Sequence, residues 1–152
     1  MKKLVLIGNG MAGVRTLEEL LKVAHEPFDI TVLGSEPYGN YNRIMLSPVL
    51  ADETSIDDIM INDIAWYKAN NIKLYTNRSI AQIDKLKRVV IDADGNLFNY
   101  DKLLIATGSK PFILPIEGND LEGVIGFRDI ADVEQMIDTA KRYKNAVVIG
   151  GG

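Results

Sequence analysis

Gly8-Asn9-Gly10-Met11-Ala12-Gly13 decides how the chain is read. Before it runs Lys3-Leu4-Val5-Leu6-Ile7, a short apolar and branched stretch that predicts a buried parallel strand. After it, Val14, Leu17, Leu21 and Ala24 recur at helical spacing. The glycines therefore fall in a tight strand-to-helix turn. Gly8 permits the turn, Gly10 lets the backbone approach a pyrophosphate, and Gly13 lets helix and strand pack closely. The helix start adds free N–H groups and a partial positive charge.

Glycine-rich turns of this spacing also occur where nothing binds, so the context matters. The next strand is predicted at Asp29-Ile30-Thr31-Val32-Leu33, and Glu36 lies just past its end, 23 positions after Gly13. A carboxylate near that spacing accepts hydrogen bonds from a ribose diol. The other reading of Glu36 is a solvated loop acid. The strand, turn and helix around it favour the ribose.

The chain has 152 residues, one domain's length, with ordinary shares of hydrophobic (47%) and charged (25%) residues. A net charge of −4 gives no reason to expect nucleic acid or anionic membrane as a partner. No apolar run reaches the ~20 residues of a membrane span. The N-terminus enters a strand directly, so no signal peptide and a cytoplasmic, soluble protein are expected. With no cysteine, the stretch holds no disulfide, thiolate metal site, iron–sulfur ligation or redox-active cysteine pair. No metal site is expected. The single histidine, His25, ends the first helix, where capping or exposure explains it better than catalysis.

Residues 34–56 form a long connection rich in Gly, Pro, Asn and Tyr at first, then apolar. Such loops are uncommon unless they bind something. Arg43 in it is either a surface arginine or a planar donor fork for a pyrophosphate. Ile44 to Leu50 predicts a short helix limited by Pro48, and Asp57 to Ile61 one helical turn. Asn62 or Asp63 caps a helix from Ile64 to Asn70, in which Trp66 and Tyr67 point to different faces and packing suits at least one of them. Ile72 to Tyr75 is the third core strand.

Residues 79–83, 88–91 and 96–100 are strand-like, with Asp92-Ala93-Asp94-Gly95 a hairpin turn. They predict a small antiparallel meander inserted as a crossover. A buried strand from Asp101 then ends in Ala106-Thr107-Gly108-Ser109, small residues that let a ligand approach the backbone. A short strand is expected at Val124 to Phe127. Asp129 caps a helix from Ile130 to Tyr143, with Val133, Met136, Ile137 and Ala140 on one face. Ala146-Val147-Val148-Ile149-Gly150-Gly151-Gly152 repeats the opening pattern of strand and glycines. It is half of a second dinucleotide fingerprint, so the chain is expected to be a fragment, with its last strand disordered or paired to another chain.

The order of Gly8–Gly13, Ala106–Ser109 and the terminal apolar strand with its glycines resembles the FAD-dependent pyridine nucleotide-disulfide oxidoreductase-like family across essentially the whole chain. The missing cysteines point away from its disulfide reductases. Residues 7–13, 41–47 and 100–109 are similar to the flavoprotein part of the nitrite reductase branch. Related rubredoxin and ferredoxin reductases often carry a lysine after the Leu-Ser pair, where this chain has Pro48. The resemblance implies a Rossmann-like α/β FAD-binding domain over residues 1–143, lacking its final segment, and the start of an NAD(P)H-binding domain over 144–152.

It also implies cofactor-binding residues. Gly8, Gly10, Met11, Ala12 and Gly13 line the FAD pyrophosphate, Glu36 the adenosine ribose, and Arg43 and Ser47 the pyrophosphate or flavin. The Ile80 backbone reaches the adenine, and Ala106, Thr107 and Gly108 close the pocket. No catalytic side chain is expected. The implied function is the FAD part of an NAD(P)H-dependent reductase serving an electron acceptor, inactive as this stretch alone; a homodimer stays open. The alternatives are a rubredoxin or ferredoxin reductase type of flavoprotein, or a flavin-free NAD-binding dehydrogenase or nucleotide-sensing domain.

Overall fold

The computed structural model describes residues 1–24 and 27–150. His25, with its predicted capping role, and the last two glycines of the second fingerprint lie outside the described residues. The chain divides into two compact units. The first holds Met1–Asn42 and Met60–Ser109, the second Arg43–Ile59 and the chain from Lys110 onward.

In the first unit the strands are β1 (Lys2–Ile7), β2 (Phe28–Leu33), β3 (Asn40–Tyr41), β4 (Met60–Asn62), β5 (Ile72–Tyr75), β6 (Ile80–Asp84), β7 (Val89–Asp92), β8 (Leu97–Asn99) and β9 (Lys102–Ile105). Its helices are α1 (Met11–Val23) and α3 (Ile64–Ala69); α2 (Leu46–Leu50) and α4 (Ile130–Arg142) belong to the second unit.

Four parallel strands form the main sheet in the order β5-β2-β1-β9. Numbered by their sequence within the sheet, that is 3-2-1-4, the order of the first four strands of a doubly wound dinucleotide-binding sheet. Ile7 stands level with Leu33 and with Ile105, and Leu33 with Tyr75, so all four strands end at one edge. The predicted meander is present as the antiparallel sheet β6-β7-β8, placed between β5 and β9 in the chain.

Strand alternation on β1 feeds two cores. Leu4 and Leu6 face one way and pack with Val14 and Leu17 of α1, Ile30, Val32, Tyr67 and Ile72. Val5 and Ile7 face the other way, with Leu33 and with Val90 of the meander. The unit is thus layered, with helices on one face of the sheet and the meander on the other. Burying Leu17 alone contributes about 1.5–3 kcal/mol.

Several expectations change. The inward face of α1 uses Leu20 beside Leu17, while Leu21 is 38% exposed. Pro48 does not limit α2: it stands in the first turn, where its missing N–H is not needed, and the helix runs to Leu50. Asp57 to Ile59 is one 3-10 turn as expected, but Met60–Asn62 then pairs antiparallel with Asn40–Tyr41 as β4. Asp63, not Asn62, caps α3 by accepting from the Trp66 N–H. Val124 to Phe127 and Ala146 to Ile149 form no strand. Their branched residues suit a strand, but no ladder partner stands beside them among the described residues. Within the second unit α2 packs on α4, which bears the expected Asp129 cap as a capping box with Asp132. Only Ile130 and Val133 of α4 are buried; Ile137 is exposed.

Asp92 locks the hairpin of the meander. Its Oδ1 accepts from the backbone N–H groups of Asp94 and Asn96 at 3.0 and 2.8 Å, and its Oδ2 from the Asn96 amide and the Arg78 guanidinium at 2.9 and 3.2 Å. Burial pushes the Asp92 carboxyl up, but the bonds from Asn96 and Asp94 and the Arg78 charge outweigh it and hold it below the usual range. A depressed carboxyl stabilises the fold above its unfolded pKa of about 3.9 and loses that contribution as pH falls through the folded value. Asp92→Asn should therefore lower the urea midpoint at pH 6 and flatten its decline toward pH 3. An unchanged acid slope would remove Asp92 from this role.

Candidate functional site

The carboxyl edge of the parallel sheet gathers the predicted site residues of the first unit apart from Ile80, which belongs to the meander. β1 runs into Gly8, β2 into Gly34-Ser35-Glu36, and β9 into Ala106-Thr107-Gly108. From β1 the chain steps outward through α1 to β2 and then β5, and after the meander it returns as β9 on the other side of β1. The strand order reverses there, and α/β sheets bind ligands outside such a point.

The three fingerprint glycines differ in what surrounds them. Gly8 has φ +102°, in the left-handed region, and a Cβ there would fall on the Ala106 carbonyl. The Gly8 N–H continues the ladder to the Leu33 carbonyl at 2.9 Å, while the Ala106 N–H bonds the Ile7 carbonyl at 2.8 Å. Gly13 is buried in α1, and a Cβ on it would lie 3.1 Å from the Ala106 Cβ, the Gly8 carbonyl oxygen and Leu6. Gly10 is different: a Cβ there meets nothing within 4 Å. Two glycines thus serve contacts inside the protein, and the third faces open space.

Gly10 is also the N-cap of α1, with extended backbone and no side-chain cap, and the first turn carries no acid. The caps of α3 and α4 are aspartates. The first N–H groups of α1, from Met11 and Ala12 on, have no intrahelical acceptor. The fit to a diphosphate is good on this count: uncapped donors, a dipole of the right sign and no side chain between.

Glu36 is half-buried, and its Oε2 accepts from the Tyr41 hydroxyl at 2.6 Å. Its loop is tied to the glycine turn, because the Asn9 Nδ2 donates to the Tyr38 carbonyl at 3.1 Å. Ile80 opens β6 opposite Asp92, and its side chain packs on the core beneath the sheet. Thr107 and Gly108 are exposed, and Gly108 has φ +73°. Arg43 and Ser47 belong to the second unit. There the Arg43 Nη1 donates to the Arg128 carbonyl at 2.6 Å, and Ser47 is an exposed residue of α2.

The fold and this edge can be set beside known proteins. The family model described as pyridine nucleotide-disulphide oxidoreductase matches residues 2–152. The chain belongs to that family. Within the family it is 56% identical over 152 residues to a nitrite reductase [NAD(P)H] of Bacillus subtilis, covering 99% of this chain and 19% of that one. It is 49% identical over 151 residues to the assimilatory nitrate reductase electron transfer subunit of the same organism, covering 99% and 20%. The crystal structure of NADH:rubredoxin oxidoreductase from Clostridium acetobutylicum matches with TM-score 0.81 and 30% identity, over 92% of this chain and 36% of that one. The chain thus spans about a fifth of the two curated relatives. These family members are oxidoreductases by name, and no helix among the described residues is long and apolar enough to cross a membrane.

Asn9, Tyr67 and Asn40 are close to the turn without having been read from the sequence as part of a site. The Tyr67 hydroxyl donates to the Asn9 Oδ1 at 2.6 Å. A polar residue between two glycines reads as ordinary turn chemistry, and a partner 58 positions away leaves no local signal.

Proposed function

We propose that this chain is the FAD-binding part of an NAD(P)H-dependent flavoprotein reductase that passes electrons to an acceptor, of the nitrite reductase type. The observation that carries it is the meeting of three strand ends at one switch point. The Gly8–Gly13 turn, the Glu36 loop and Ala106–Gly108 share one edge of one parallel sheet. Gly8 and Gly13 close strand, turn and helix against Ala106, and the bare backbone at Gly10 leaves room for a diphosphate.

When bound, FAD supplies hydride acceptance and electron release; the protein supplies position and field. The N–H groups opening α1 receive the diphosphate. Glu36 accepts from the adenosine ribose, with Tyr41 fixing its second oxygen. The backbone at Ile80 borders the adenine, and Ala106, Thr107 and Gly108 close the pocket. Arg43 and Ser47 are taken as cofactor-facing from the family resemblance alone. The nitrite reductase type is preferred to the rubredoxin type on the closer likeness in sequence, 56% identity against 33%, and on Pro48 in place of a lysine. NAD(P)H and the acceptor are assigned to the longer polypeptides of which the relatives are examples.

The test separates adenosine from flavin. Losing a charge-assisted hydrogen bond costs about 1.5–3 kcal/mol, about ten- to a hundredfold in affinity. Glu36→Ala should weaken FAD by that factor and spare FMN, which has no adenosine ribose. Equal weakening of both would place Glu36 elsewhere. Failure of the unsubstituted chain to bind FAD would overturn the function itself.

A further inference from the structure

Resting on the glycine turn as the diphosphate site, we propose that Asn9 is its positioning residue, clamped by Tyr67 and the Tyr38 carbonyl so that Gly10 presents its backbone in one fixed direction. Asn9 stands between the two glycines, so its backbone angles aim Gly10. Both ends of its amide are held. The oxygen accepts from the Tyr67 hydroxyl at 2.6 Å, and the nitrogen donates to the Tyr38 carbonyl at 3.1 Å. A flipped amide would set oxygen against oxygen at Tyr38, so one orientation is fixed. Gly34 completes the clamp, because a Cβ there would lie 2.9 Å from the Asn9 Cβ.

The clamp is anchored in turn. Tyr67 is 1% exposed, and the Asn40 backbone also bonds its hydroxyl. Asn40 Nδ2 donates to Asn62 Oδ1 at 2.8 Å, and Asn62 Nδ2 donates to Glu18 Oε1 at 3.0 Å. Glu18 lies on α1, the helix that the glycine turn opens. The hydrogen bonds therefore run from α1 through the paired strands β4 and β3 and through α3 back to the turn that opens α1, whose own backbone closes the ring. Burial pushes the Tyr67 hydroxyl up, so it remains a neutral donor throughout the working range. A neutral clamp suits a site for an anion.

A merely structural role would lower stability and leave the affinity of the folded protein unchanged. The experiment uses the 152-residue chain as wild type, Tyr67→Phe, Asn9→Ala and the double variant, titrated with FAD where circular dichroism shows each folded. Tyr67→Phe removes one hydroxyl and keeps the ring, so it is the variant that folds if Asn9→Ala does not. It should weaken FAD about tenfold. The double variant should bind no worse than Asn9→Ala, since both changes break one contact. Unchanged affinity in Tyr67→Phe, or additive losses, would overturn the clamp.

A second readout needs no ligand. The Val14 N–H bonds the Gly10 carbonyl at 3.1 Å, and its hydrogen exchange reports the fixed turn. Tyr67→Phe should speed it more than it speeds exchange in β2. Equal changes would overturn the clamp even if the wild type bound no FAD, an outcome that would count against the proposed function separately.

Discussion

Gly10→Val is expected to abolish FAD binding and leave the fold intact. The reason is the contrast between the glycines of one turn. Gly10 has φ −86° and ψ 175°, a conformation that valine adopts readily. A Cβ there meets no protein atom within 4 Å, so the free protein has no cause to resist it. The space it fills is the space in front of the α1 donors. A branched side chain holds a diphosphate away from those N–H groups and screens the helix dipole. A loss of at least about a hundredfold in affinity is expected, with the thermal midpoint within a few degrees of wild type. Flavin fluorescence titration and circular dichroism measure the two. Unchanged affinity would move the diphosphate elsewhere.

Gly8→Ala is expected to act in the opposite way, through the fold. Its φ of +102° strains any residue with a Cβ, and the added methyl would collide with the Ala106 carbonyl, which is backbone and cannot swing aside. That carbonyl is fixed because the neighbouring Ala106 N–H is bonded to Ile7. Strain and overpacking together cost about 2–5 kcal/mol. A domain of this size is stable by only about 5–15 kcal/mol, so the loss is severe. The urea midpoint should fall sharply, and flavin affinity should fall with it. Gly95→Ala is the control: its φ is +84°, but a Cβ there meets nothing within 4 Å. It should show the strain without the collision. Equal losses at Gly8 and Gly95 would remove the contact with Ala106 as a cause.

The sequence showed most where an element repeats one kind of residue. β1, β2 and the helix after the glycines were plain from apolar runs and helical spacing, since the sheet buries both faces. The meander was plain from its turn, because Asp92 and Gly95 do there what turn residues do. The pair β3–β4 was not, since strands of two and three residues carry no period. Asn40 and Asn62 were missed for a related reason. They are polar and buried, and their bond to each other, with the Asn62 bond to Glu18, makes that tolerable. Val147 and Val148 misled in the other direction, being branched residues without a strand beside them. The separate tasks of Gly8 and Gly10 were legible from their places in the motif, but that a Cβ at Gly8 would strike Ala106 was not, since Ala106 is 98 positions away.

The most direct measurement is a calorimetric titration of the chain with FAD, FMN and NADH in turn. The predicted result is saturable binding of FAD, weaker binding of FMN, and loss of the FAD signal in Gly10→Val. Binding of NADH with none of FAD would contradict it, and would make this edge of the sheet a flavin-free nucleotide site.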